Sequence, residues 1–183
     1  MRGIVFSEYI EFVEDSFSPE LADRMIEESH LPSGGAYTAV GTYDHQEMLT
    51  LVTTLGRLTG QPVVELVRTF GRHLFGRLAA AYPMFLEGAG NSLDFLKGIE
   101  DHIHREVLKL YPDAELPHFE WRQPNEDTLE LIYRSRRPLA DLAEGLLQGT
   151  AAHFDEQIGI AREDLAGGDE TRVRFTLTKM PGA

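Results

Sequence analysis

Up to Leu110 the apolar residues recur mostly at helical spacing; beyond it they alternate in two blocks separated by one more helical stretch. In Gly3–Glu14, the residues Ile4, Val5, Phe6, Tyr9, Ile10 and Phe12–Val13 make one helical face apolar in a loose register. Ser18-Pro19-Glu20 predicts a second helix start, with serine as cap and proline in the first turn, followed by Leu21, Met25 and Ile26. Pro32–Gly35 is a loop, and Ala36–Gly41 is expected to be extended. Asp44 caps a helix over Gln46–Leu58 that Gly60 closes, and Pro62 opens another running to Ala81. After the Gly88–Gly90 loop, Ser92–Pro112 reads as one helix. Leu93, Leu96, Ile99, Ile103, Val107 and Leu110 form its core-facing stripe.

Past Tyr111-Pro112-Asp113 the period changes. His118–Arg122 and Thr128–Tyr133 predict a hairpin across Gln123–Asp127. Pro138–Phe154 returns to helix. Gln157–Ala161 and Thr171–Thr178 predict a second hairpin across Gly167-Gly168-Asp169. Helices first and strands afterwards define an α+β fold: a helical N-terminal part packed on a small four-stranded antiparallel sheet, with one helix between the hairpins. A chain of 183 residues is enough for one such domain, here residues 1–183.

Composition narrows the partners. Thirty acidic against 17 basic residues give a formal charge of −13, which repels nucleic acid and anionic membranes alike. With no cysteine, disulfides, thiolate metal sites and cysteine nucleophiles are excluded. The start MRGIVFSEYIEF lacks the apolar core of a signal peptide, and no apolar run reaches membrane-spanning length, so a cytoplasmic location is expected.

Two features could carry chemistry. His102 and His104 lie beside the stripe of the Ser92–Pro112 helix, each displaced from it by about 100°. Either could aim an imidazole into a pocket next to the core, and the periodicity does not rank them. Residues two apart on a helix diverge by about 200°, so the pair is poorly placed to share one non-haem metal ion. The second feature is Tyr133-x-Ser135-x-Arg137. In an extended segment these side chains share a face, and two hydroxyls with a guanidinium make a receptor for carboxylates. A carboxylate receptor together with an imidazole in an apolar domain suggests haem.

Longer stretches carry a family resemblance: MRGIVF at the start, GAYTAVGTYDHQE at 35–47, FGRHLF at 70–75, IHREVLKLYPDAELPHF at 103–119 and YRSRRPLADLAEGLLQG at 133–149. Together they resemble the haem–nitric oxide/oxygen-binding (H-NOX) family, the sensor domain also found in soluble guanylate cyclases. The match runs in collinear order over nearly the whole chain. The resemblance implies that Tyr133, Ser135 and Arg137 hold the propionates of haem b. It also implies that His104, seven residues before the aromatic of the Tyr111-Pro112 pair, is the axial iron ligand. Pro117 matches a proline that presses on the haem, and Val5, Tyr9, Leu74, Leu142 and Leu146 are expected on the distal wall. Oxygen-binding members carry a distal tyrosine nine residues after the first tyrosine of the motif; here that position is Leu142.

The implied function is a ferrous-haem gas sensor selective for nitric oxide, with carbon monoxide as a further ligand. The family commonly responds to nitric oxide by releasing the axial histidine. A sensor of this kind is not an enzyme. With no kinase, cyclase or methyl-acceptor segment after Ala183, its output is expected in trans, on a sensor histidine kinase or a cyclic-di-GMP enzyme. The alternatives are an oxygen sensor or carrier, in which Tyr9 or another polar group replaces the missing donor, and a haem-free interaction domain.

Overall fold

Local chemistry sets the helix ends, and the helices then set the site. The computed structural model describes residues 1–166 and 168–180, and for Leu110 the backbone alone. Helix α1 spans Gly3–Ser16, α2 Pro19–Ser29, α3 His45–Thr59 and α4 Val63–Ala81. Ser18 Oγ accepts from Leu21 N at 3.2 Å ahead of Pro19, and Asp44 Oδ1 accepts from Gln46 N at 3.0 Å. Gly60 ends α3 at φ 73°, a conformation that glycine adopts without strain.

Ala36–Gly41 is not a strand. Its backbone is used elsewhere: Ala39 O accepts from Ile4 N at 3.2 Å and Gly41 O from Gly3 N at 2.8 Å. The segment thereby satisfies first-turn donors of α1 that no residue within the helix can reach. Ser92–Pro112 is likewise not one regular helix. It divides into α5 (Ser92–Lys97), a widened π-helical turn at Ile99–His104, and α6 (Arg105–Leu110). Gly98 closes α5 with a short bond from its N to Phe95 O at 3.0 Å. Its carbonyl then accepts both from His102 N at 2.9 Å and from Ile103 N, five residues on, at 3.3 Å. A period of 3.6 cannot persist through such a turn. Leu93 and Leu96 are buried accordingly, whereas Ile99, Ile103 and Val107 are only half-buried.

The strands are β1 (His118–Asn125), β2 (Thr128–Ser135), β3 (Ile158–Asp164) and β4 (Thr171–Lys179), with α7 (Ala140–His153) between the hairpins. They form one antiparallel sheet in the order β1-β2-β4-β3. The β1–β2 turn is tighter than the spacing predicts, and the register slips between Arg122 and Asn125, around Pro124, which has no N–H to pair. Of the second turn, Gly167 lies outside the described residues. Leu129, Leu131 and Tyr133 on β2 alternate inward opposite Leu177, Phe175 and Val173 on β4, and all six are buried.

Helices α4 and α7 stand between two cores. One core gathers Phe6, Tyr9, Phe12, Leu51, Leu55, Phe70 and Leu74; the other gathers Phe75, Leu93, Leu96 and Leu147 with the inner face of the sheet. The two helices touch along glycines. A methyl group on Gly145 would lie 2.2 Å from Arg68 O, and one on Gly71 2.6 Å from Leu142 O. Gly145→Ala is therefore expected to cost about 1–3 kcal/mol through overpacking against backbone. Gly76→Ala, with open space around its Cβ, should gain about 0.5–1 kcal/mol from helix propensity. Thermal midpoints that do not separate in these opposite directions would show that the helices can move apart at little cost.

Candidate functional site

Between the helical layer and the sheet lies a cavity of about 660 Å³, within the range of cofactor sites. Val5 of α1, Leu74 and Leu78 of α4, and Leu142, Ala143 and Leu146 of α7 reach it from the helical side. Pro117 and Phe119 line it where the chain enters β1, and Tyr133, Ser135 and Arg137 line it where β2 leaves. Eight of the ten site residues expected from the sequence line this one space, and His104 lies behind Phe119, which also lines it. Tyr9 is the exception. It is fully buried in the helical core, edge-to-face with Phe70 at 5.0 Å, and does not line the cavity. Its hydroxyl has no partner among the described residues, and burial pushes its pKa up.

The Tyr-x-Ser-x-Arg segment is set by strand geometry, with Tyr133 and Ser135 pointing the same way off β2. Ser135 Oγ accepts from Arg137 N at 3.0 Å, which turns the chain so that the guanidinium faces back toward the cavity mouth. There Arg137 donates to the Glu115 carboxylate and, at 3.2 Å, to Glu115 O. The guanidinium therefore already grips a carboxylate in this structure, and its side chain is only 18 % exposed. Burial, outweighing Ser135 and Arg137, pushes the Tyr133 phenol up, so it stays protonated and able to donate.

The two histidines differ in surroundings. His102 is exposed, with its ring edge-to-face with Phe85 at 6.4 Å. The His104 side chain is 13 % exposed. His104 does not itself line the cavity. Its ring lies 5.9 Å from that of Phe119, which does. Burial holds the His104 imidazole below its usual pKa despite the neighbouring Glu100, so the ring is neutral, as a metal ligand must be. Its hydrogen bond runs from Nδ1 to Glu100 Oε2 at 3.2 Å, so the hydrogen is on Nδ1 and the lone pair on Nε2. Among the described residues, no group of three or more His, Asp or Glu side chains could hold a metal ion by itself. The donors thus suit one imidazole with a ligand that brings its own metal frame: an apolar cavity, a cation for acidic groups at its mouth, and a neutral ring beside it.

Sequence reasoning missed Glu115, Phe119 and Glu100. Glu100 stands one helical turn before His104, a spacing that could have drawn attention to it. Glu115 and Phe119 carry no local signal, because only the fold of the chain between α6 and β2 brings them to the site.

A cavity of this size between a helical layer and an antiparallel sheet defines a ligand-binding α+β domain, and comparison with known proteins identifies which kind. The haem–NO-binding model (HNOB) matches residues 2–162, and the chain belongs to that family of haem-binding sensor domains. Among solved structures, the Fe(II) unliganded H-NOX protein from K. algicida superposes with a TM-score of 0.91 at 37% identity, covering 100% of this chain and 98% of that one. The H-NOX from Shewanella woodyi, bound to IWP-051 in the Fe(II)CO state, gives 0.84 at 44% identity, over 99% of this chain and 95% of that one. The H-NOX protein from S. oneidensis in the Fe(II)NO state gives 0.86 at 30% identity, over 97% and 99%. No curated protein matches the chain. Among the described residues, no helix is long and apolar enough to cross a membrane.

Proposed function

We propose that residues 1–183 form a single haem b-binding gas-sensor domain, selective for nitric oxide, that acts on a separately encoded signalling protein and is not itself an enzyme. The observation that carries the selectivity is the helical wall of the cavity. Each side chain that α1, α4 and α7 present to it (Val5, Leu74, Leu78, Leu142, Ala143 and Leu146) is apolar. The polar lining residues Thr42, Tyr43, Asp44 and His45 come from the start of α3 and the segment before it. A ferrous oxygen complex is stabilised by a hydrogen-bond donor on that side, whereas nitric oxide has no such requirement. The position of Tyr9 in the core supports the same reading, since its hydroxyl is not at the cavity wall.

When bound, the haem supplies an iron that takes up a diatomic gas; everything else comes from the chain. His104 offers the Nε2 lone pair to the metal. Arg137, with Ser135 and Tyr133, holds the acidic edge by charge-assisted bonds. Pro117 and Phe119 form the floor toward β1. The widened turn at Ile99–His104 and the short α6 carry any displacement of His104 to the surface, so the domain has a segment whose position a partner can read. Cytoplasmic partners of the kind expected, a sensor histidine kinase or a cyclic-di-GMP enzyme, would bind that surface in trans.

The reading is tested by visible spectra of the ferrous protein in air and under nitric oxide or carbon monoxide. A haem spectrum that changes with nitric oxide or carbon monoxide but forms no stable oxygen complex is expected. Failure to take up haem would overturn the reading, and a stable oxygen complex would overturn the selectivity. In the same assay Leu142→Tyr is expected to lengthen the lifetime of the oxygen complex about two- to tenfold, as one added hydrogen bond would. An unchanged lifetime would show that the oxygen site is not bounded by Leu142.

A further inference from the structure

We propose that Glu100 is the positioning residue of the proximal side: it fixes the tautomer of His104, strengthens that imidazole as a metal ligand, and ties it to the first residues of β1. The inference rests on the reading of His104 as the iron ligand and adds a residue to it.

The geometry is a carboxylate divided among three donors. Glu100 Oε2 receives His104 Nδ1 at 3.2 Å and the backbone Phe119 N–H at 3.1 Å. Glu100 Oε1 receives His118 Nδ1 at 3.0 Å. An ionised carboxylate only accepts, so both imidazoles carry their hydrogen on Nδ1. For His104 this has a direct chemical consequence. The other nitrogen, Nε2, is left with its lone pair, which is the form a metal requires, and the negative acceptor behind Nδ1 makes that lone pair more basic. A free imidazole has no comparable reason to prefer this tautomer.

The same carboxylate connects two elements. Glu100 and His104 lie on the widened turn, one helical turn apart. Phe119 and His118 open β1, and Phe119 lines the cavity. The Phe119 N–H points at Glu100, so the residue forming the cavity floor and the residue proposed to hold iron share one anchor. A change in charge on His104 is felt first by this carboxylate, because no other described group hydrogen-bonds to the ring. His118 is exposed and completes the pairing of Oε1 from the solvent side.

Two measurements test the proposal. The first reads the ring-nitrogen shifts of His104 by NMR in the chain without haem, at a pH where the ring is neutral. The Nδ1–H tautomer is expected to predominate, and a predominant Nε2–H tautomer would overturn the proposal without any variant being made. The second uses Glu100→Gln, which keeps a carbonyl oxygen for the Phe119 N–H but removes the negative charge. Its His104 is expected to become a mixture of tautomers, and the iron–histidine stretching frequency of the ferrous protein is expected to fall below that of the wild type. Loss of haem affinity of about 10- to 100-fold, the usual effect of removing such a partner, should accompany it. A variant with wild-type tautomer and stretching frequency would overturn the proposal even if its stability changed, since a merely structural role moves neither. If the wild type takes up no haem, the functional reading fails on its own, and the tautomer of His104 still decides the role of Glu100.

Discussion

His104→Ala is expected to leave the chain folded but unable to retain ferrous haem, with free imidazole restoring the haem spectrum. The reasoning combines burial with ligand chemistry. The His104 side chain is 13 % exposed, so its removal leaves a space that one imidazole molecule can refill. Its only described hydrogen bond goes to Glu100, a partner that also bonds His118 and the Phe119 N–H. The carboxylate therefore keeps two of its donors in the variant, and the turn is not left with an unpaired buried charge. Neither of the histidines closest to His104 in the chain or in space is placed to replace it. His118 is exposed and turned to the opposite oxygen of Glu100, and His102 is exposed beside Phe85. His102→Ala should accordingly leave the spectrum unchanged. The reverse pattern, with His102 essential and His104 dispensable, would place the iron on the other histidine.

Arg137→Ala is the second variant expected to have a large effect. A hydrogen bond to a charged group contributes about 1.5–3 kcal/mol, which corresponds to roughly a 10- to 150-fold rise in the haem dissociation constant. The guanidinium is mostly shielded from water at 18 % exposure, which keeps such a contact from being screened away. Haem transfer to an acceptor protein, followed over time, measures the difference. Arg137→Lys should recover part of the loss, since lysine supplies charge without the planar fork. Transfer rates for Arg137→Ala equal to those of the wild type would remove Arg137 from the site.

How much of this was legible beforehand depended on the range of each signal. Features decided by neighbours in the chain could be read directly: the Ser18 and Asp44 caps, the Gly60 stop, and both hairpins with α7 between them. The α+β class followed from them, and structural agreement with H-NOX proteins bears it out. The reading of Ser92–Pro112 as one helix failed because periodicity is blind to a single widened turn, which preserves an apolar stripe while shifting its phase. Ala36–Gly41 looked extended because nothing local shows that its carbonyls cap α1, more than 30 residues earlier in the chain. Tyr9 was expected at the cavity wall from its position in the family pattern. In the structure the aromatic contacts of α1 and α4 draw it into the core instead. Glu100 and Glu115 were overlooked for a related reason: their roles depend on which groups lie opposite them in space.

The pairing of Arg137 with Glu115 makes cofactor capture an exchange rather than an addition. An incoming acidic group does not meet a bare cation; it displaces a carboxylate that the chain already supplies. Affinity at this contact is then the difference between two similar ion pairs, so the effect of Arg137→Ala should fall toward the lower end of its range. The Glu115 side chain is already 74 % exposed, so once displaced it stays in solvent at little cost. A loaded domain would thus differ from an empty one at the surface by a carboxylate released from its ion pair, independently of any movement of the histidine.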